Sequence, residues 1–422
     1  MIGDPLLTAE ERSYREEASR AIRALIPADL PERMDRNEIL YPKEYLRAMA
    51  KHGYLGVPLP RELNGGGRDI LSDALVNELA GYWGSAALAC CRSFTTHGGW
   101  ILWRYGTTYL HAHYLRPTLA GEKFVCQALT EPGAGSDAAA IRTRAERRGK
   151  TYVLTGEKRF VDGAQSVDYI IVAAKVREGG RDSIAMFCVD TDRPGYVIKE
   201  VQTDWMGFRG LGSSWIAFER LEIPAENRIG EEAEGWKILM EELAVERVVA
   251  TRAQLGQALR ALTIAANYAE HRETFAKRLR DHQWIAFQVA ELAAKLDAAA
   301  LLNTRAARLL DRGLGKEARL EVAMAKLVGA ETAWEVADAS LQILGGIGYT
   351  KKYPLERILR DVRASRLTAG STEMMRAIIQ HVAFDRLRDP AFRGEFVGNE
   401  LEGSPITRDQ SLQLGEERRE GA

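Results

Sequence analysis

Thr130 and Ser136 share the run Ala128–Asp137, A-L-T-E-P-G-A-G-S-D, with Gly133 and Gly135 between them. The two hydroxyls can hydrogen-bond a ligand, and the two glycines leave backbone amides open to close approach by a flat ring or a diphosphate. Taken alone, the same ten residues also make a Pro-Gly turn between domains. Glu246 stands beside Arg247 in L-A-V-E-R. A glutamate there is a general base if its surroundings are apolar and dry, because burial raises a carboxylate pKa. In water it is only a helix-face glutamate paired with a cation. Arg272 opens R-E-T-F-A-K-R-L-R-D-H-Q, which closes on Gln283, and a guanidinium is a fork of donors suited to phosphate. Gly345, Gly346 and Gly348, in the run Gln342–Tyr349, read by themselves as a helix-terminating loop.

Other chemistries are disfavoured. The seven histidines are scattered with no HExxH spacing, so no metal site is expected. Cys90, Cys91, Cys126 and Cys188 form no CxxC pair, and adjacent cysteines rarely meet disulfide geometry. Free buried thiols in a reducing compartment follow. A formal net charge of −1 gives no footprint for nucleic acid or an anionic membrane. No apolar run approaches a membrane span. The first residues, M-I-G-D-P-L-L-T-A-E-E-R, lack both an apolar signal region and the Arg-rich, acid-poor character of a presequence, which makes the cytoplasm the expected location.

The elements that must position these residues fall into zones. A chain of 422 residues exceeds one compact core, and 46% hydrophobic with 28% charged residues is globular. Residues 1–123 read as a helical domain, with Thr8 before Glu10–Glu11 in capping-box style and a loop through Pro58–Pro60 and Gly65–Gly67. Residues 124–234 read as a small, mostly antiparallel β-domain. Its strands are Tyr152–Val161, Asp168–Val176, Ser183–Asp190, Tyr196–Val201 and Ser214–Ile223, with turns at Gly179–Gly180 and Asp192–Gly195. Residues 235–388 are helical again: Leu255, Leu259, Leu262 and Ala266 keep helical spacing, as do Ile285, Val289, Leu292 and Leu296, while Leu320, Leu327, Trp334 and Leu341 repeat by sevens. With loops at Gly313–Gly315 and Gly345–Gly348, this predicts a four-helix bundle. Residues 389–422 read as a mobile tail. The class is α+β.

That order of domains, together with A-L-T-E-P-G-A-G-S-D, resembles the acyl-CoA dehydrogenase family. The resemblance implies FAD as cofactor, an acyl-CoA or acyl-carrier-protein thioester as substrate, electron-transfer flavoprotein as electron acceptor, and a homotetramer. It places Leu129, Thr130, Gly135 and Ser136 on the flavin and its diphosphate, with Ser136 near substrate as well. G-E-K-R-F-V-D-G at Gly156–Gly163 resembles the family's G-x-K-x-W-I-T-N, with Phe160 on the flavin, Val161 beside it, and Asp162 where a hydroxyl near N5 is usual. An ionised carboxylate there would disfavour reduced flavin. Asp162 is therefore protonated, or turned away to cap the turn into Gly163, or the flavin reacts unlike the family norm. Arg272, Phe275 and Gln283, with Ala276 in place of the usual glycine, resemble groups that reach FAD from a neighbouring subunit, as do Gln342, Gly345 and Gly346. Ser371 and Glu373 resemble further cofactor contacts.

Many members carry the base in Y-E-G-T near the C-terminus. Here the stretch is Thr368-Ala369-Gly370-Ser371, and Ala369 cannot be a base. Branched-chain and long-chain members place it in L-x-x-E-R, which points to Glu246, with Ala244, Arg247, Ala369 and Gly370 around the substrate. The Ala369 N–H would then bind the thioester oxygen. The implied activity is α,β-dehydrogenation to the trans-2-enoyl thioester. A flavin-dependent oxidase or monooxygenase on the same fold, suggested by Asp162, and a non-catalytic binding paralogue, suggested by Ala369, are the alternatives.

Overall fold

The computed structural model describes residues 7–178, 181–315 and 317–388. The Gly179–Gly180 turn, the first six residues and the expected tail at 389–422 lie outside the described residues.

The N-terminal helices are α1 (Ala9–Leu25), α2 (Leu30–Asp35), α3 (Lys43–Lys51), α4 (Ile70–Trp83), α5 (Ala86–Tyr105), α6 (Thr108–Leu110) and α7 (Arg116–Leu119), the last two joined by a π turn at His111–Leu115. The capping box forms: Glu11 N–H donates to Thr8 Oγ1 at 3.2 Å and Thr8 N–H to Glu11 Oε2 at 2.7 Å. Asp69 and Ser85 cap α4 and α5 by accepting from the N–H groups of Ser72 and Leu88, without the return bond.

The sheet runs through β1 (Val125–Ala128), β2 (Arg144–Arg148), β3 (Thr151–Asp162), β4 (Tyr169–Glu178), β5 (Arg181–Asp190), β6 (Tyr196–Gln202), β7 (Ser213–Pro224) and β8 (Arg228–Ile229). Its order is β6-β7-β3-β2-β4-β5-β8, with β1 beside β4. The pairs β1–β4 and β2–β4 are parallel and the rest antiparallel. β4 is apolar from Tyr169 to Ala174, where both its faces are covered. Ile170, Val172 and Ala174 enter the core shared with α1, α3, α4 and α5, while Tyr169, Ile171 and Ala173 face the core shared with α8 and its neighbours.

The third zone holds three long helices, α8 (Gly235–His271), α9 (Gln283–Asp311) and α10 (Arg319–Leu344), then the shorter α11 (Leu355–Ala364) and α12 (Thr372–Arg388). A two-stranded hairpin of β9 (Glu273–Thr274) and β10 (Lys277–Arg278) separates α8 from α9. The sevenfold repeat lies within α10: Leu320 is buried, and Leu327, Trp334 and Leu341 are half-buried, the last two packed against the bundle core. The buried face carries Ala323, Ala330, Ala333 and Ala337. These helices approach too closely for large side chains at the contact. Ala266 is likewise half-buried while its neighbour Ala265 is fully buried.

α8 packs on α4, α5, α9 and α10, and so ties the N-terminal helices to the bundle. A side chain at Gly81 would begin 2.3 Å from the Ala253 carbonyl oxygen, and one at Gly256 would begin 2.1 Å from that of Glu78. Only glycine allows this α4–α8 crossing. Buried polar bonds fix its register. Arg92 on α5 donates to Asp73 at 2.8 Å and to Asn77 at 3.0 Å on α4, and Asn77 donates to the Val249 carbonyl on α8 at 3.0 Å. Arg252 of α8 reaches Glu78 at 2.5 Å and, on α9, Ala300 O and Thr304. Replacing Arg92 by Met would leave Asp73 buried without its cation, a loss of about 3–5 kcal/mol. Urea midpoints should fall sharply for Arg92→Met and stay put for Arg47→Ala, whose Glu44 partner is exposed.

Candidate active site

Two clamps hold the Ala128–Asp137 segment where β1 ends. The buried Lys158 ammonium of β3 donates to Leu129 O and to Glu131 Oε1, both at 2.9 Å, and Arg159 N–H donates to Thr130 O at 2.8 Å. Glu131 also accepts from the backbone N–H groups of Arg142, at 2.5 Å, and Thr143, at 3.0 Å. Burial alone would raise the Glu131 pKa, but Lys158 and these amides hold it below the usual value. Burial pulls Lys158 down to about 8 against the pull of Glu131. Beyond the clamp, Gly133, Gly135 and Ser136 are exposed, and nothing lies within 4 Å of where a Cβ would stand on either glycine. A bare, anchored backbone of this kind fits a flavin and its phosphates.

Phe160 stands beside this loop on a β-bulge: the β3–β7 register shifts between Lys158 and Val161, and Phe160 takes φ +59°. The bulge turns the ring outward, half-exposed and edge-on to Trp205 at 5.6 Å. Val161 turns inward and is buried. Asp162, opposite Ser213 in the β3–β7 ladder, lies within electrostatic reach of Cys90, Cys91, Cys126 and Glu246. Burial pushes its pKa up to about 6, against the Ser213 hydroxyl. The four cysteines are free thiols.

Glu246 lies on α8 with its carboxylate against the same site. Burial raises it to about 6, with Arg247 and Lys326 pulling down and Asp162 pushing up. The side chain is only half-buried although protein surrounds it closely, as suits a group lining a cleft. Arg247 Nε donates to Ala369 O at 2.9 Å, so the residue next to Glu246 holds the Thr368–Ser371 turn. Ala369 and Gly370 take φ +53° and +88°. Ala369 therefore carries backbone strain that the Arg247 bond helps to hold. Ala244 is half-buried on the same helix, Ser371 caps α12 by accepting from Met374 N–H at 3.3 Å, and Glu373 is exposed in the first turn of that helix.

The other candidates do not join this group. Arg272, Phe275, Gln283, Gln342, Gly345 and Gly346 are exposed, Phe275 to 94%. Phe275 and Ala276 form the tip of the β9–β10 hairpin at φ +50° and +60°, which is why glycine is usual at Ala276. Trp284, Phe287 and Tyr349 are exposed to 73%, 63% and 82%. Four large apolar side chains on the β9–β10 hairpin, α9 and the turn after α10 therefore stand in solvent.

Four groups escaped sequence reasoning. Glu131 and Lys158 sit inside quoted motifs, but their pairing joins the loop after β1 to β3. Glu242 lies four residues before Glu246, a spacing that puts both on one helix face, and that signal was readable. His97 on α5 gives no signal beyond its type. An open groove lined by Thr155, Glu157, Lys199, Phe218 and Arg220 holds none of the candidate residues.

Comparison with known proteins follows the same residues. Family models match residues 8–122, 126–221 and 233–384, described as the N-terminal, middle and C-terminal domains of acyl-CoA dehydrogenase. The chain is 36% identical over 376 residues to the caffeyl-CoA reductase-Etf complex subunit CarC of Acetobacterium woodii, covering 87% of this chain and 98% of that one. It is 37% identical over 344 residues to cyclohex-1-ene-1-carbonyl-CoA dehydrogenase of Geobacter metallireducens, covering 80% and 89%. Its fold superposes on butyryl-CoA dehydrogenase from Megasphaera elsdenii with a TM-score of 0.84 at 28% identity, over 90% of this chain and all of that one.

The Glu131 clamp has a direct test. Glu131→Ala removes the acceptor for Lys158 and two amides, at about 1 kcal/mol or more for each bond lost. FAD dissociation, followed by the fluorescence of released flavin, should strengthen at least tenfold; an unchanged dissociation constant would mean the loop is held by other means.

Proposed function

The chain belongs to the acyl-CoA dehydrogenase family of FAD-dependent oxidoreductases, and we propose that it dehydrogenates an acyl-CoA thioester between Cα and Cβ with Glu246 as the base. One observation carries this reading: a carboxylate with a pKa near 6 lies one residue from the arginine that fixes the Ala369 turn. Bound FAD supplies the acceptor for the β-hydride.

The residues of the chain do the rest. Glu246 takes the α-proton: the Cα–H bond breaks, an O–H bond forms on the carboxylate, and the electron pair becomes the second Cα–Cβ bond as the Cβ–H bond breaks and its hydride leaves for the acceptor that bound FAD would supply. Desolvation favours this transfer, because a carboxylate stripped of water is the stronger base. The Ala369 N–H donates to the thioester oxygen, where charge builds as the proton leaves. Ala369 has no side-chain acid, so Glu246 on α8 supplies that function. Leu129, Thr130 and Phe160 hold the ring system, and Ser136 and Gly135 the diphosphate.

The exposed Arg272, Phe275, Gln283, Gln342, Gly345 and Gly346 complete the FAD site of a second copy in a homotetramer. The apolar surface at Phe275, Trp284, Phe287 and Tyr349 supports that assembly. The name of the CarC relative couples it to an Etf partner. Electron-transfer flavoprotein is the acceptor that this likeness favours. Among the described residues no helix is long and apolar enough to cross a membrane.

Glu246→Gln should remain yellow and still bind thioester, yet lose flavin bleaching when acyl-CoA is added without oxygen. In the unmodified enzyme the base must be ionised, so kcat/KM should fall about tenfold per unit as pH drops below about 6 and level off above it. Normal bleaching by Glu246→Gln would remove it as the base.

A further inference from the structure

Glu242 and His97 are buried polar groups that the dehydrogenation does not use. Glu242 lies one turn before Glu246 on α8 and is 0% exposed; His97, from α5, is 2% exposed. Glu242 Oε1 accepts from Gln127 Nε2 at 3.2 Å and stands 3.8 Å from His97 Nδ1. Glu242 Oε2 and His97 Nε2 have no hydrogen-bond partner among the described residues. One polar atom from each of His97, Glu242 and Glu246 falls within 4.8 Å of the others. A buried polar atom left bare costs about 1–3 kcal/mol. Two of them beside the base are a poor lining for an apolar chain and a good one for a group that can bond both.

Their place in the cleft says which part of a substrate they meet. The thioester end belongs to Ala369 and Arg247, on the C-terminal side of Glu246 along α8. Glu242 and His97 lie on the other side, and burial increases that way, from the half-buried Glu246 and Arg247 to the fully buried pair. On the dehydrogenase reading, an acyl chain that extends from Glu246 away from Ala369 would meet them. Burial and Glu246 hold Glu242 well above the usual carboxylate range, and burial with Arg92 holds His97 down at about 3. The uncharged forms that burial favours are a carboxylic acid with an O–H to give and an imidazole with a lone pair to offer. A hydroxyl satisfies both at once, accepting from the acid and donating to the imidazole. A divalent cation held by the same three groups would instead take Glu246 as a ligand and leave no base.

We propose that Glu242 and His97 form a subsite for a hydroxyl on the acyl chain, making hydroxyacyl thioesters the substrate class. The proposal rests on the dehydrogenase reading above. One helical turn is about 5.4 Å, which places the hydroxyl roughly three or four bonds beyond Cα.

The test is an anaerobic titration of the FAD-loaded enzyme, read by flavin bleaching, with two pairs of thioesters matched in heavy atoms. One pair is 5-hydroxypentanoyl-CoA and hexanoyl-CoA; the other is 4-hydroxypentanoyl-CoA and 4-methylpentanoyl-CoA. At least one hydroxylated member should bind tenfold or more tightly than its partner. Glu242→Leu and His97→Leu should reverse that preference, while Glu242→Gln, which keeps a donor and an acceptor, should retain part of it. If the Leu variants do not fold, the unmodified enzyme and Glu242→Gln decide the matter. Equal or tighter binding of the apolar member in both pairs overturns the subsite and leaves the dehydrogenase reading standing. Bleaching by none of the four overturns both.

Discussion

Desolvation of the Glu246 carboxylate is the constraint from which the rest of the site follows. A carboxylate becomes a useful base only where water is scarce, and the fold makes such a place by running one 37-residue helix through every layer. Along α8 the glycine contact with α4, the Arg252 bonds to α4 and α9, and the Glu242–Glu246–Arg247 face succeed one another within a few turns. The Arg92–Asp73–Asn77 lattice therefore acts at a distance on the chemistry. It fixes α5 and α4 against α8 and so sets where His97 stands relative to Glu242.

Much of the fold was legible because local patterns and burial agree in it. The five long strands have apolar runs bounded by turn residues, and their observed limits differ from the expected ones by a residue or two. The strands that escaped notice are short or polar: Arg144–Arg148 is mostly charged, and Arg228–Ile229 has two residues. The sevenfold repeat located α10 but not its tightest contacts. Leucine and tryptophan are the residues that catch the eye, but tight helix contacts are made by alanine and glycine, as where Gly329 meets Thr251.

The site was legible where its parts are contiguous in sequence and opaque where they meet only in space. The A-L-T-E-P-G-A-G-S-D segment, Phe160 and the Ala369 turn could each be picked out from a single stretch. The link between Arg247 and Ala369 spans 122 residues, and nothing in either stretch announces it. Asp162 is a case between. Its type is unusual for the motif it stands in, and the structure adds that it lies within electrostatic reach of thiols of α5 and β1 and of the Glu246 carboxylate, with its pKa near 6. Glu246 is thus one of three carboxyl groups raised together, and each makes the next harder to ionise.

The central claim is that Glu246, and neither Glu242 nor Asp162, removes the α-proton. Exchange of that proton with D2O reads the step directly, using a thioester analogue with sulfur in place of Cβ that can lose the α-proton but cannot pass on a hydride. Proton NMR should record exchange in the FAD-loaded enzyme, half-maximal near pH 6, and none in Glu246→Gln. Exchange at an undiminished rate in Glu246→Gln would contradict the account and move the base to one of its two carboxyl neighbours.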